Sequence, residues 1–167
     1  MIEIRSMTEE DIQSVYRIET LSFRTPWSRQ SLLGELRNNV AHYLVATADR
    51  NVIGYCGMWI LFDECHITNI AIDPTHRKKG YGKSLLYATM LVADYLGAVS
   101  MTLEVRETNI IAQTLYHEMD FERNGFRKHY YSDTGEGAIL LWNQNIQRTL
   151  KNNSTISDHF ILKWDTF

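Results

Sequence analysis

Ile2-Glu3-Ile4 alternates apolar and polar side chains and predicts a short strand at the start of the chain. Thr8-Glu9-Glu10-Asp11 has the form of a capping box, and Ile12, Val15, Tyr16, Ile18 and Glu19 follow at helical spacing. Pro26-Trp27-Ser28 opens a second helix, with Ser28 as its N-cap and Leu32, Leu33 and Leu36 as its buried face. Three strands come next, over 42–48, 52–61 and 65–72, joined by the turns Asp49-Arg50-Asn51 and Phe62-Asp63-Glu64. Links that short require antiparallel neighbours. Residues 82–96 predict a long helix, apolar almost all round and so packed on the sheet, with Gly97 as its C-terminal cap.

Val99, Met101, Leu103 and Val105 alternate with Ser100, Thr102, Glu104 and Arg106, the pattern of a strand with one face in the core. Asn109 caps a short helix running through Glu118, and 121–131 and 138–144 read as a closing pair of strands with Gly135-Glu136-Gly137 in the turn. The order is strand, two helices, three strands, helix, strand, helix, two strands, which places one mixed, mostly antiparallel sheet between helices in the α/β class. The periodic part ends near Arg148. One domain is expected over 1–148, followed by a tail over 149–167 whose last residues, His159 to Phe167, are aromatic but aperiodic.

At 167 residues and 44% hydrophobic content the chain can bury a real core. It holds no run of about 18 apolar residues, so no membrane-spanning helix is expected, and its N-terminus lacks an apolar signal region. Cys56 and Cys65 lie in strand-like segments without metal-ligand spacing. They read as buried reduced thiols, which points to the cytoplasm and to no metal site. A net charge of -3 with no extended basic stripe argues against direct nucleic-acid binding.

The chemistry is concentrated at Arg77-Lys78-Lys79-Gly80-Tyr81-Gly82-Lys83, between the strand that ends at Ile72 and the long helix. Glycine lets a backbone approach an oxyanion closely, and the first free N–H groups of a helix point at it with the positive end of the dipole behind them. Four cations, Arg77, Lys78, Lys79 and Lys83, surround that turn in an otherwise acidic chain. The turn is neither a P-loop nor the three-glycine dinucleotide fingerprint. A plain strand-to-helix turn with solvated lysines would look much the same. Glu104 sits midway along its strand on the face opposite Met101 and Leu103, where an ordinary solvent-facing carboxylate would also sit. Tyr116 shares one helical face with Asn109 and Ala112, and by periodicity alone is a core tyrosine. His66 and His76 read as solvated or packed.

Arg77-x-x-Gly80-x-Gly82 resembles the coenzyme A pyrophosphate loop of the GCN5-related N-acetyltransferase (GNAT) family, and the element order is similar to that fold from about residue 1 to residue 146. Within it, Leu103-Glu104-Val105-Arg106 followed by Asn109 resembles the block of the bacterial ribosomal-protein-alanine N-acetyltransferases. That resemblance implies acetyl-CoA as cosubstrate, with Arg77, Lys78, Lys79, Gly80, Tyr81, Gly82, Lys83, Asn109 and Ala112 beside it. It also implies that the main chain of Ile70, Ala71 and Ile72 pairs with the pantetheine arm. Glu104 is implied as proton acceptor and Tyr116 as proton donor. Trp27, Asn69, Tyr130 and Tyr131 are implied as the walls of a groove for a protein N-terminus, that of a ribosomal protein, bound by a monomer or weak dimer.

Two positions depart from the family's pattern. Asp120 stands where Gly-Phe is usual, and Asp adopts the left-handed conformation at a modest cost. Gly137 replaces an Asp of the closing turn and removes a carboxylate near the groove. Chemistry bears on the acceptor too. At pH 7 a peptide α-amine of pKa about 8 is roughly a tenth neutral, whereas a lysine near about 10.4 is neutral in about one molecule in a few thousand. One carboxylate base therefore suits an α-amine. A small-molecule amine acetyltransferase on the same fold, and a non-catalytic acyl-CoA sensor, remain as other readings of these residues.

Overall fold

The computed structural model describes residues 1–164. Its strands are β1 (Ile2–Ser6), β2 (Ala41–Ala48), β3 (Asn51–Leu61), β4 (Glu64–Ile72), β5 (Ser100–Arg106), β6 (Glu122–Arg127), β7 (Ala138–Asn143) and β8 (Phe160–Lys163). Its α-helices are α1 (Ile12–Ser22), α2 (Arg29–Leu36), α3 (Tyr81–Tyr95), α4 (Ile110–Glu118) and α5 (Ile146–Asn152). The strands form one sheet in the order β6-β7-β5-β4-β3-β2-β1-β8. The expected fold class holds: all neighbours are antiparallel except β4–β5 and β1–β8.

Two apolar layers explain why β3 is buried along most of its length. On one face α3 brings Leu85, Leu86 and Met90, none of them exposed, against Leu44, Cys56, Met58 and Met101. On the other, α1 and α2 bring Val15, Ile18 and Leu32 against Tyr43, Val45 and Tyr55. A central strand covered on both sides cannot alternate polar and apolar residues, and β3 does not. Gly57 in that strand is forced: a Cβ there would collide with the Tyr43 ring and Asn69.

The sheet is split between β4 and β5. β4 returns to β5 through α3, and the two pair only over Glu64↔Ser100, Cys65↔Met101 and His66↔Thr102. Beyond His66 the strands part, and the β5-facing edge of residues 67–72 is left without a strand partner. α3 starts one residue earlier than the periodicity predicts, with Gly80 as its N-cap at φ 81. It closes at Gly97, φ 95, where the N–H groups of Gly97 and Ala98 bond back to Asp94 and Ala93.

Two sequence readings are corrected. The strand expected over 121–131 ends at Arg127, after a bulge at Gly125, and 128–137 form a loop. The loop is closed by its own bonds: His129 Nδ1 lies 3.0 Å from the Gly135 carbonyl, and Tyr131 N–H donates to Glu136. Where periodicity fades after Arg148, the chain keeps folding. Asn145 caps α5 by accepting from Arg148 N–H at 3.0 Å, and β8 lies parallel to β1 at the sheet edge. Ile146, Leu150 and Phe160 are buried by this docking, and the Tyr87 hydroxyl donates to the Leu150 carbonyl at 3.0 Å. The last part of the expected tail, 165–167, lies outside the described residues.

Candidate active site

The split between β4 and β5 opens into a cleft of about 620 Å³. β4 (Ile67–Ile70) and β5 (Leu103–Arg106) line it, and the α1–α2 loop and the β6–β7 loop wall it. α4 closes it with Asn109, Ala112 and Tyr116. Of the residues singled out in the sequence, Trp27, Asn69, Ile70, Glu104, Asn109, Ala112, Tyr116, Tyr130 and Tyr131 converge on this one space. Ala71 is buried in the α1–α2 layer, and Ile72 packs on the α3 layer. Only their main chain is available to a ligand in the split.

The loop Arg77–Lys83 follows where β4 ends and is not part of the cleft lining. Asp73 anchors it: its Oδ1 accepts from Thr75 N–H at 2.9 Å and its Oδ2 from Arg17 at 2.7 Å. Against the burial that pushes this carboxyl up, those donors hold its pKa at about 2. The chain then turns through left-handed Lys78, φ 62, and Gly80. The first helical bond of α3 runs from Ser84 N–H to the Gly80 carbonyl, so the N–H groups of Tyr81, Gly82 and Lys83 have no helical partner. The first turn carries no acidic residue. The four cations are not equivalent. Arg77 folds back to the Ile72 carbonyl at 2.9 Å and Ser22 at 3.2 Å, and Lys83 pairs with Glu118 at 2.9 Å. Lys78 and Lys79 are exposed.

Thr102, Glu104 and Arg106 share the cleft face of β5, because Met101, Leu103 and Val105 take the core face. Glu104 is half-buried, and its Oε2 lies 2.7 Å from His66 Nε2. That hydrogen bond, then the burial that opposes it, then the charges of His66 and Arg127 leave the carboxyl below its ordinary pKa. The sequence treated His66 as solvated or packed. The parallel register places it opposite Thr102, one diagonal from Glu104, at the last paired position before the split. Nothing in either strand's own periodicity announces that meeting.

Tyr116 is 6% exposed, with its ring edge-on to Phe121 at 5.6 Å. Burial raises its hydroxyl pKa, so the proton stays on oxygen. Among the described residues no protein group accepts a hydrogen bond from it, which separates it from an ordinary satisfied core tyrosine. Asn109 serves α4 directly, its Oδ1 accepting from Ala112 N–H at 3.2 Å.

The walls are fixed from inside the fold. Glu19, 1% exposed on α1, accepts from the Trp27 N–H at 3.0 Å. Its carboxyl is raised by burial, while the Trp27 bond and the nearby Asn69 amide pull the other way. Asn69 is buried, with Oδ1 accepting from the Thr68 hydroxyl at 2.9 Å. Glu19 went unassigned in the sequence, although a carboxylate at core spacing on an amphipathic helix was its signal. On the opposite wall Tyr130 and Tyr131 stack edge-to-face at 5.0 Å. Both departures from the family pattern have structural partners. Left-handed Asp120, φ 63, accepts from the Thr149 hydroxyl of α5 at 2.7 Å. At Gly137 the Phe126 ring occupies the space that a Cβ would need.

A sheet split at a parallel pair, with free helix N–H groups at the end of one strand and a carboxylate on the other, defines an acyl-CoA-dependent transferase. The chain belongs to the Acetyltransferase (GNAT) family, whose sequence profile matches residues 11–121. It is 43% identical over 140 residues to a protein of Bacillus subtilis (strain 168) proposed to be a ribosomal protein bS18-alanine N-acetyltransferase, covering 83% of this chain and 93% of that one. A ribosomal protein bS18-alanine N-acetyltransferase of Haemophilus ducreyi is 35% identical, with 83% and 97% covered. The crystal structure of the ribosomal-protein-S18-alanine N-acetyltransferase from Escherichia coli superposes with a TM-score of 0.79 at 27% identity, over 85% of this chain and 92% of that one.

The family uses acetyl-CoA, and the residues present fit it. The split leaves main chain at 67–72 that could pair with an extended arm, the head of α3 offers three N–H groups without helical partners to an anion, and Gly82 adds no side chain in the way. Among the described residues, no group of three or more His, Cys, Asp or Glu side chains could hold a metal ion.

Proposed function

We propose that this enzyme acetylates the free α-amine of a protein N-terminus, with alanine as first residue and a small-subunit ribosomal protein as acceptor. The observation that carries the reading is that Glu104, hydrogen-bonded to His66, and the protonated Tyr116 line the same cleft. The names of the relatives support the choice of acceptor. Two loop walls with paired tyrosines suit an extended peptide, and buried Asn69 stands at the base of one wall.

The mechanism follows from the two proton carriers. Acetyl-CoA, when bound, supplies the thioester carbon that the amine attacks. Glu104, ionised at neutral pH and held by the His66 hydrogen bond, removes the proton from the ammonium, directly or through water. The unpaired N–H groups at the head of α3 hold the pyrophosphate, and a backbone N–H of residues 70–72 polarises the reacting carbonyl. As the C–S bond breaks Tyr116 gives its proton to the departing sulfur, and the second proton that the nitrogen sheds on becoming an amide restores the hydroxyl. No metal enters this scheme. Buried free thiols at Cys56 and Cys65 accord with a reducing, cytoplasmic site of action.

Steady-state assays with an Ala-starting peptide, the same peptide acetyl-capped but carrying lysine, and spermidine test the reading. Turnover of the free α-amine alone is expected. Preference for the capped peptide or for spermidine would replace the acceptor while leaving the reaction class intact.

A further inference from the structure

Arg106 ends β5 two residues beyond Glu104, on the same cleft-facing side of the strand. Its guanidinium makes several contacts at once. Nη2 donates to Asp133 Oδ2 at 2.8 Å and Nη1 to Asp133 Oδ1 at 3.1 Å, a bidentate pair. Nη1 also reaches Glu136 Oε2 at 3.4 Å, and the guanidinium carbon stands 3.9 Å from the centre of the Tyr131 ring. Every one of these partners belongs to the β6–β7 loop.

That loop is otherwise thinly held. The bonds from Tyr131 N–H to Glu136 and from Gly135 N–H to Tyr131 lie within the loop itself. Its other ties to the β5 side are Thr108 with Glu136 and the Glu107 N–H with Gly137. An exposed ion pair would fix little. Here the Arg106 side chain is 26% exposed and its two acids 17% and 13%, and the planar guanidinium is set between a ring and carboxylates. Tyr131 in turn sets Tyr130 through their edge-to-face contact. Arg106 thus touches Tyr131 directly and Tyr130 through it, alongside Arg127, whose guanidinium carbon stands 5.7 Å from the centre of the Tyr130 ring.

We propose that Arg106 is a positioning residue that fixes the Tyr130–Tyr131 wall of the acceptor groove, and so sets affinity for the peptide acceptor while leaving acetyl-CoA binding untouched. This rests on the peptide-acceptor reading above. A wall that is ordered before the peptide arrives spares the complex the entropy of ordering it, and that saving appears in the acceptor term alone. Lysine keeps the charge but cannot reproduce the fork or the stacked plane.

The test compares the full-length wild type with Arg106→Lys, and with Asp133→Asn, which loosens the same contact from the loop side. Amide hydrogen exchange reads the clamp, and steady-state kinetics with an Ala-starting peptide read the wall. Both variants are expected to exchange faster at Tyr131 and Gly135 and to raise the peptide KM about 10-fold, with kcat and the acetyl-CoA KM within about twofold. Unchanged exchange in both variants overturns the clamp. Faster exchange with an unchanged peptide KM, or a loss confined to kcat, overturns the positioning role. If Arg106→Lys does not fold, Asp133→Asn carries the comparison alone. A wild type inert toward the peptide overturns the acceptor reading and the affinity half of the proposal with it, and exchange still decides the clamp.

Discussion

His66 Nε2 lies 2.7 Å from Glu104 Oε2, across the last paired rung of two parallel strands. The contact lowers the pKa of a carboxyl that is ionised at neutral pH already, the state its proposed role as base requires. A lower pKa also makes it a milder base, which suits a peptide α-amine better than a lysine. Because the folded value is depressed, the pair stabilises the fold above the ordinary carboxylate pKa, and that contribution disappears as pH falls through the depressed one.

His66→Ala removes both the hydrogen bond and the charge, and the Glu104 pKa is expected to climb toward its ordinary value. His66→Gln keeps a donor on the side chain and should give a smaller rise, since the hydrogen bond is the larger cause. Carbon-13 NMR titration of Glu104 measures both. Equal values in wild type and His66→Ala would show that the pair does not control the carboxylate.

Glu104→Gln should lower the rate about 100- to 10,000-fold at neutral pH, the usual range for a general acid–base group. Raising the pH should restore part of it, because solvent then supplies neutral amine. Tyr116→Phe should not be rescued that way, since its proton is needed after attack. Matching pH–rate profiles for the two variants would defeat the division of roles.

Gly82→Val should abolish coenzyme binding in calorimetry while thermal unfolding stays near wild type. A Cβ at Gly82 meets Leu115 and Ile72 at 3.7 and 3.8 Å, ordinary contact distances, so the fold tolerates it. The γ-methyls would then stand where the proposed site needs the pyrophosphate to approach the backbone. Retained binding would move the coenzyme elsewhere.

Asp73→Asn should destabilise the protein by about 1 to 2 kcal/mol at neutral pH, a figure discounted because its partner Arg17 is half exposed. The wild-type Asp73 pKa of about 2 is depressed, so its contribution is full above about pH 4 and fades as pH falls toward 2. Denaturant unfolding of both proteins at pH 7 and pH 2.5 checks this. A gap that does not shrink in acid would mean that the loss came from packing instead of charge.

The strands β1 to β5, the long helix and the glycine turn before it are legible in the sequence because each is specified locally. Alternation at 99–106 needs only its own residues, as do the capping box at Thr8 and the glycines at 80 and 82. For Glu104 and Tyr116, which line the cleft, the assignment of roles rests chiefly on resemblance, since a lone Glu or Tyr at such a position has a bland reading as well. Tyr130 and Tyr131 were placed in a strand, because the alternation of 121–131 does not reveal that Arg106 and the loop's own bonds draw 128–137 away from the sheet. α5 and β8 were missed for a related reason. A seven-residue helix and a four-residue edge strand carry too little period to stand out, and their stability comes from docking on α3 and β1.

By itself the sequence determined the elements from β1 to β5 with their helices, the helix faces that pack on the sheet, and the glycine turn at the head of α3, because backbone propensity, period and glycine geometry act within a few residues of one another. Only the tertiary structure decided that β4 and β5 part after His66, that this histidine meets Glu104 there, and that Arg106 holds the opposite wall. Those relationships join residues 27 to 38 positions apart through strand register and loop closure, quantities set by the packing of the whole sheet and by no local pattern.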